Sequence, residues 1–356
     1  MTRTTGTGAA VGRETTVALD AMGGDLAPAA TCEAAALVSK ETTIRLVLVG
    51  NPARIRAELD KHPHEASRIT IVPAMDVIEM SDKPKEALLK KQDASITVAA
   101  RLVGEGGADA LVSAGSTGAL VIAAAKQIPL IEGVKRAALA AVYPTRNRGF
   151  SNDHFALILD VGATVRCTPD QLLQFAYMGH AYASRIKRVP TPAIALLNMG
   201  EEETKGDEVL TAAYRLMKED PRLNFIGNIE GNDLPKGIAD VVVCEGFVGN
   251  VVLKMAEGMT EVMKNLGEYA FKQKFLWRIG LALLASGLKQ LKTVTDYREY
   301  GGAPFLGFSK IVIKAHGKSG PRAIANAIKI AAKAARDGVP EEIRRSIDGF
   351  ERRSSA

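Results

Sequence analysis

A chain of 356 residues, 47% hydrophobic and 24% charged, has the length and composition of a globular protein with one large or two modest domains. Its net charge of +6 and pI near 9.1 favour an acidic partner, whether nucleic acid, an anionic membrane or an acidic protein. Cys32, Cys167 and Cys244 are too few and too scattered for a disulfide framework or a zinc knuckle, and they fit a reducing cytoplasm. No uncharged apolar run reaches the roughly 18 residues that a membrane span needs.

Residues 1–15 lack an apolar core and read as a disordered leader, not a signal peptide. From Thr16 the chain alternates strand, glycine turn and helix. Val17-Ala18-Leu19-Asp20 leads into Ala21-Met22-Gly23-Gly24-Asp25 and an Ala-rich helix from Pro28, so Asp20 and Asp25 bracket two glycines. Two carboxylates beside a turn suit a metal ion or ligand orientation, and an Asp near a helix start equally suits capping. Strands follow at 44–50, 69–72 and 108–113, with a helix beginning at Asn51-Pro52. Repeated βα units imply a parallel, doubly wound sheet. The basic run Lys83, Lys85, Lys90 and Lys91 fits a solvated face or an anionic partner.

Small residues and hydroxyls after the fourth strand, Gly115-Ser116-Thr117-Gly118, suit anion binding at a helix start. Ser116 has no GxSxG elbow around it, so a ligand-contacting hydroxyl is expected there instead of a nucleophile. The strand at 155–159 ends in Asp160-Val161-Gly162, and Thr168-Pro169-Asp170 opens the next helix in capping style. The strand at 193–197 ends in Asn198 and leads to Lys205-Gly206. The β-branched run at 239–244 turns through Glu245-Gly246-Phe247-Val248-Gly249-Asn250 into another helix. Five polar, glycine-rich strand ends suggest a shared cleft along the carboxyl edge of one sheet.

Residues 271–291 carry Phe271, Phe275, Trp277, Ile279 and Leu283 among basic side chains, with no acid. Such a segment, part of an amphipathic helical hairpin at about 260–295, suits an anionic membrane surface or a dimer interface. A last strand and turn reach His316-Gly317, and 341–356 reads as a charged tail after a single domain at 16–340.

In order along the chain, LDAMGGDLAP, SAGSTGA, ILDVGAT, LLNMGEEETKG, GNIEG, VVVCEGFVGNVVLKMAEG, EYGGAPFLG and KAHGKSG resemble the PlsX-type phosphate acyltransferases of bacterial phospholipid synthesis. The resemblance implies a three-layer α/β/α sandwich like that of isocitrate and isopropylmalate dehydrogenases, with a protruding helical hairpin, and a homodimer. It also implies transfer of a fatty acyl group from acyl carrier protein to inorganic phosphate, giving acyl phosphate for a downstream glycerol-3-phosphate acyltransferase, in a cytoplasmic protein held peripherally at the membrane. On that basis Lys205 and Asn250 are the catalytic candidates. Asp20, Gly23, Gly24, Asp25, Ser116, Thr117, Gly118, Asp160, Asn198, Glu245, Gly246, Gly249 and His316 are the substrate-binding ones. Ser116 and Thr164 stand where the family usually has Asn, and Glu245 where it usually has Asp.

A short-chain phosphotransacetylase acting on a coenzyme A thioester is the nearest alternative. A nicotinamide-dependent dehydrogenase is disfavoured by the lack of a GxGxxG fingerprint and of a paired-Asp metal helix, so no cofactor and no metal ion are expected. A nucleic-acid partner is not expected either, because the basic patches lack interleaved aromatics.

Overall fold

Alternating side chains divide each strand of this protein between two apolar layers. In a computed structural model, which describes residues 14–146, 155–273, 280, 283–284 and 301–354, β1 (Thr16–Asp20) sends Val17 and Leu19 into one core and Ala18 into the other. The same period of two recurs in β2 (Arg45–Gly50), β4 (Ala110–Ser113), β6 (Phe155–Leu159), β7 (Ala193–Leu197), β9 (Val241–Val243) and β11 (Ile311–Lys314). These strands are buried on both faces, which is why they read as continuous apolar runs.

Helices cover both sides. The first core is closed by α1 (Ala29–Glu41), α6 (Pro169–Tyr182) and α9 (Pro321–Arg336), through side chains such as Val38, Phe175 and Ile328. The second is closed by α4 (Ser95–Gly104) and α5 (Thr117–Gln127), through Ile96, Val103 and Leu120. Short helices α2 (Pro52–Leu59) and α3 (Pro84–Lys90) and the amphipathic α7 (Glu208–Glu219) lie further out. At α6 the expected cap is present: Thr168 and Gln171 form a reciprocal capping box, with Pro169 in the first turn.

With β3 (Ile69–Pro73), β5 (Ala138–Pro144), β8 (Asn224–Ile229) and β10 (Ala303–Leu306), the described strands form one sheet, ordered β3-β2-β1-β4-β11-β10-β5-β6-β9-β7-β8. It is mostly parallel. The exceptions are central, where β10 runs antiparallel to both β11 and β5, and β5 antiparallel to β6. Consequently β1, β4 and β11 point one way and β6, β9 and β7 the other.

That reversal corrects the expectation of one carboxyl edge. The polar strand ends belong to two opposed edges, and short strands between them bring some together. Lys314, at the end of β11, pairs with Ala303; two residues further along β10, Phe305 pairs with Leu139, and the neighbouring Ala140 pairs with Leu159 at the end of β6. The ends of two opposed half-sheets therefore approach one another across β10 and β5.

The charged C-terminal stretch is also more than a tail. It forms α10 (Val339–Ser354), whose Ile343 and Ile347 are buried in the first core while its charges occupy other faces. The long α8 (Gly246–Gln273) carries exposed apolar residues, among them Met255, Met259, Leu266 and Tyr269. Among the described residues no helix is long and apolar enough to cross a membrane. Phe271 and Leu283 are exposed; Phe275, Trp277 and Ile279 lie outside the described residues, as do 1–13 of the leader.

Candidate active site

A cavity of about 500 Å³ lies over the reversal in the sheet, a size suited to a small ligand or one end of a larger one. Its lining includes the apolar Val121, Leu139, Val142, Val161, Leu253 and Phe305. The same lining carries the polar Thr117, Asn250, Lys254, Lys314, His316 and Ser319. The starts of α5 and α8 both border it, so the positive ends of two helices flank one space.

Asp160 builds the wall that follows β6. Fully buried, it accepts hydrogen bonds at Oδ1 from Leu139 N (2.9 Å), Gly162 N (3.1 Å) and Ala163 N (3.0 Å), and at Oδ2 from Thr164 N (2.7 Å). Its carboxylate is thus spent on backbone amides and shapes the turn. Glu245 plays a similar part: Cys167 N donates to it at 2.9 Å and Arg166 pairs with it at 3.3 Å. Thr164 Oγ1 accepts from Gly246 N at 3.2 Å, tying this turn to the first residue of α8. A Cβ on Gly249 would run into the Asp160 carbonyl oxygen, so helix and turn touch where only glycine fits.

That approach presents Asn250. Its side chain lies beside Gly162, whose Cβ position would be 3.6 Å from Asn250 Oδ1, and it lines the cavity without a hydrogen-bond partner among the described residues. An amide held this way has its donors and acceptor available to a ligand.

The turn after β1 sits behind the cavity instead of in it. Asp20 is 1% exposed and accepts from Ser95 Oγ (2.6 Å) and Ser113 Oγ (2.7 Å). Burial pushes its pKa up, against those two hydroxyl bonds and the amides of Met22 and Gly23. A Cβ on Gly23 would lie 2.9 Å from Asp20 Cγ and from Gly115 N, which packs the first turn against the one after β4. Asp25 N donates to Gly317 O at 2.8 Å, while Gly24 and Asp25 line a second hollow with Arg54, Glu79 and Met80. After β4, Ser116 is nearly buried at the N-cap of α5 and makes no capping bond; Thr117 and Gly118 line the main cavity.

Lys205 and Asn198 form their own loop. Asn198 Nδ2 donates to Lys205 O at 2.9 Å, and Lys205 Nζ stands 4.0 Å from Glu202. Neither lines the cavity. His316 does, and its Nδ1 accepts from Lys318 N at 3.2 Å, which in the neutral ring places the proton on Nε2.

One residue was missed in the sequence. Lys314, ending β11, lines the cavity at 8% exposure. Burial pulls its pKa down to about 8, although Asp20 and Asp25 favour its charged form; Lys254 adds to the depression. Its signal was a lysine inside a run of strand residues, at a position whose parity faces inward. Cys167 and Cys244 are near by, but burial raises the pKa of both thiols, so neither is an activated nucleophile. No group of three or more His, Cys, Asp or Glu side chains among the described residues is arranged to hold a metal ion.

Residues 15–342 match the family model described as "Fatty acid synthesis protein". Proteins named phosphate acyltransferase are close relatives. The one from Heliobacterium modesticaldum is 45% identical over 94% of this chain and 98% of its own length. That from Dictyoglomus turgidum is 46% identical over 89% and 93%. Among solved structures, a phosphotransacetylase from Streptococcus pyogenes superposes with a TM-score of 0.61 at 19% identity, covering 90% of this chain and 94% of that one. A branched-chain phosphotransacylase from Enterococcus faecalis gives 0.55 at 15%, covering 90% and 99%. These two establish a shared α/β fold. With the family model matching nearly the whole chain and relatives 45% and 46% identical, the chain belongs to the PlsX-type phosphate acyltransferase family of acyl-transferring enzymes.

Proposed function

We propose that this enzyme moves an acyl group from acyl carrier protein to inorganic phosphate, releasing the carrier thiol and acyl phosphate for phospholipid synthesis. The observation that carries the reading is the mixed lining of the cavity. Apolar side chains suited to an acyl chain share it with Asn250, His316, two lysines and two helix N-termini.

Phosphate is itself the nucleophile, so no side chain need form a covalent intermediate, in keeping with the buried, deactivated thiols. A phosphate oxygen attacks the thioester carbonyl carbon, the carbonyl oxygen gains negative charge, and the C–S bond then breaks. Asn250, free to donate at the mouth of α8, suits the oxyanion. Lys205, in the loop after β7 and outside the cavity lining, is assigned to charge on phosphate or on the oxyanion by the family resemblance alone. The turns holding Asp20, Asp160 and Glu245 position these groups without touching the reacting atoms.

The basic surface has an acidic partner in the carrier protein. The exposed apolar residues of α8 at three- and four-residue spacing (Met255, Met259, Val262, Leu266) support a homodimer packed through this helix, with the segment beyond it against an anionic membrane. In this reading residues 16–340 act as one catalytic domain of a three-layer α/β/α kind.

The test is a panel of acyl-carrier-protein and acyl-coenzyme A thioesters assayed for thiol release with and without phosphate. Phosphate-dependent release from the carrier-protein thioesters is expected. Release confined to short coenzyme A thioesters reassigns the donor, and release that ignores phosphate removes the reaction altogether.

A further inference from the structure

Lys314 is the most deeply buried cation on the cavity wall, at 8% exposure. Its Nζ donates to Ala114 O at 3.4 Å and also to Ala315 O, both neutral carbonyls, and it forms no ion pair among the described residues. No bond joins Asp20 or Asp25 to Lys314: Asp20 accepts from Ser95 and Ser113, and Asp25 acts on the ammonium only through space. An ammonium has three donors, and two are used here. Taking such a charge out of water without a counter-ion is costly, and a protein keeps it buried where something negative completes the site.

The surroundings favour an oxyanion as that counter-charge. Lys254 lines the same cavity and is near enough to disfavour the charged form of Lys314, so two cations act on one space. Lys254 is itself paired with Glu257 at 2.8 Å, which leaves Lys314 as the cation without an acidic partner. The start of α5, with Thr117 and Gly118, lines the same cavity three residues beyond Ala114, to which Lys314 donates, and adds backbone dipole of the right sign.

We propose that Lys314 is the floor of the phosphate subsite, with its ammonium bound to the oxygens of the attacking inorganic phosphate. This deepens the acyl-transfer reading and rests on it for the identity of the anion. The acyl group then lies along Leu139, Val142 and Phe305, with its carbonyl between the subsite and Asn250. Lys314 lowers the charge of the incoming dianion and fixes its position; it takes no part in bond making.

The test follows thermal unfolding of the full chain, titrated with inorganic phosphate at constant ionic strength set by chloride, in wild type, Lys314→Met and Lys314→Gln. Phosphate is expected to raise the melting temperature of the wild type and of neither variant. In turnover, KM for phosphate is expected to rise roughly tenfold or more while KM for the thioester stays within about twofold. A wild type that phosphate does not stabilise, or variants stabilised as much as wild type, overturn the assignment. So does a parallel rise of both KM values, which marks a purely structural lysine. If phosphate stabilises only the wild type and no acyl phosphate forms with any thioester, the subsite stands and the acyl-transfer reading falls.

Discussion

Asp160 Oδ2 accepts the amide hydrogen of Thr164 at 2.7 Å, and with three more amides on Oδ1 this one carboxylate curls the chain into the cavity wall. Asp160→Asn turns one of its two oxygens into a donor, so in either orientation an N–H faces an N–H. An unsatisfied buried donor costs about 1–3 kcal/mol. The urea midpoint is expected to fall with an unchanged slope, and turnover to fall with it because Gly162 and Thr164 line the site. A variant with wild-type midpoint and turnover shows that the turn holds itself without the carboxylate.

Two glycines of α8 are expected to respond in opposite directions to the same change. At Gly249 a methyl group meets the Asp160 carbonyl oxygen and stands 2.9 Å from Cys244 Sγ, whereas at Gly258 nothing lies within 4 Å. Replacing a helical glycine by alanine gains about 1 kcal/mol in propensity where there is room, while overpacking costs roughly 1–3 kcal/mol. Gly258→Ala should therefore raise the denaturation midpoint and Gly249→Ala lower it. Equal stabilisation of the two means that helix and turn are not in fixed contact.

Asn250 is where the acyl-transfer reading is most exposed to kinetics. Loss of an oxyanion donor reduces turnover by roughly 10²–10³ with smaller changes in binding. Asn250→Ala is expected to show that pattern in phosphate-dependent thiol release, with its melting temperature close to wild type since the side chain has no partner among the described residues to lose. Turnover within a few-fold of wild type removes Asn250 from this role.

The chain made its buried parallel strands plain and hid the ones that place the site. Runs such as Leu46-Val47-Leu48-Val49 and Val241-Val242-Val243 are buried on both faces and need no partner to be recognised. By contrast Ala138-Leu139-Ala140-Ala141 is as alanine-rich as a helix, β8 is a half-exposed edge strand with a glycine and two asparagines, and β10 is four residues containing a proline. Those short sequences become strands through their neighbours' hydrogen bonds. Because β5 and β10 were unread, the reversal of the sheet was unread too, and all polar turns were expected on one edge. Asn250, Thr117, Gly118, Gly246 and His316 do meet at the cavity, since each follows directly on a legible strand. Asp20, Asp160 and Glu245 look like ligand-binding groups in sequence, yet their hydrogen bonds go to the protein, which only the folded turns decide.

Lys314 gives a pH dependence of stability with a definite sign. Its folded pKa is about 8 against 10.5 for the ordinary side chain, so the unfolded chain holds this proton more tightly. Below about pH 8 the folded protein carries the buried charge and its full cost. As pH rises from 8 toward 10.5 the folded state releases the proton first, stability is regained, and above that range the cost is gone. Lys314→Met removes the charge and keeps the length, so in phosphate-free buffer it should be more stable than wild type by about 1–3 kcal/mol at neutral pH. The difference should shrink as the pH is raised to 10, and added phosphate should shrink it at pH 7 by stabilising the wild type alone. Denaturation curves at pH 7, 8.5 and 10 check this directly, and a methionine variant less stable than wild type throughout means that the bonds to Ala114 and Ala315 outweigh the desolvation of the ammonium.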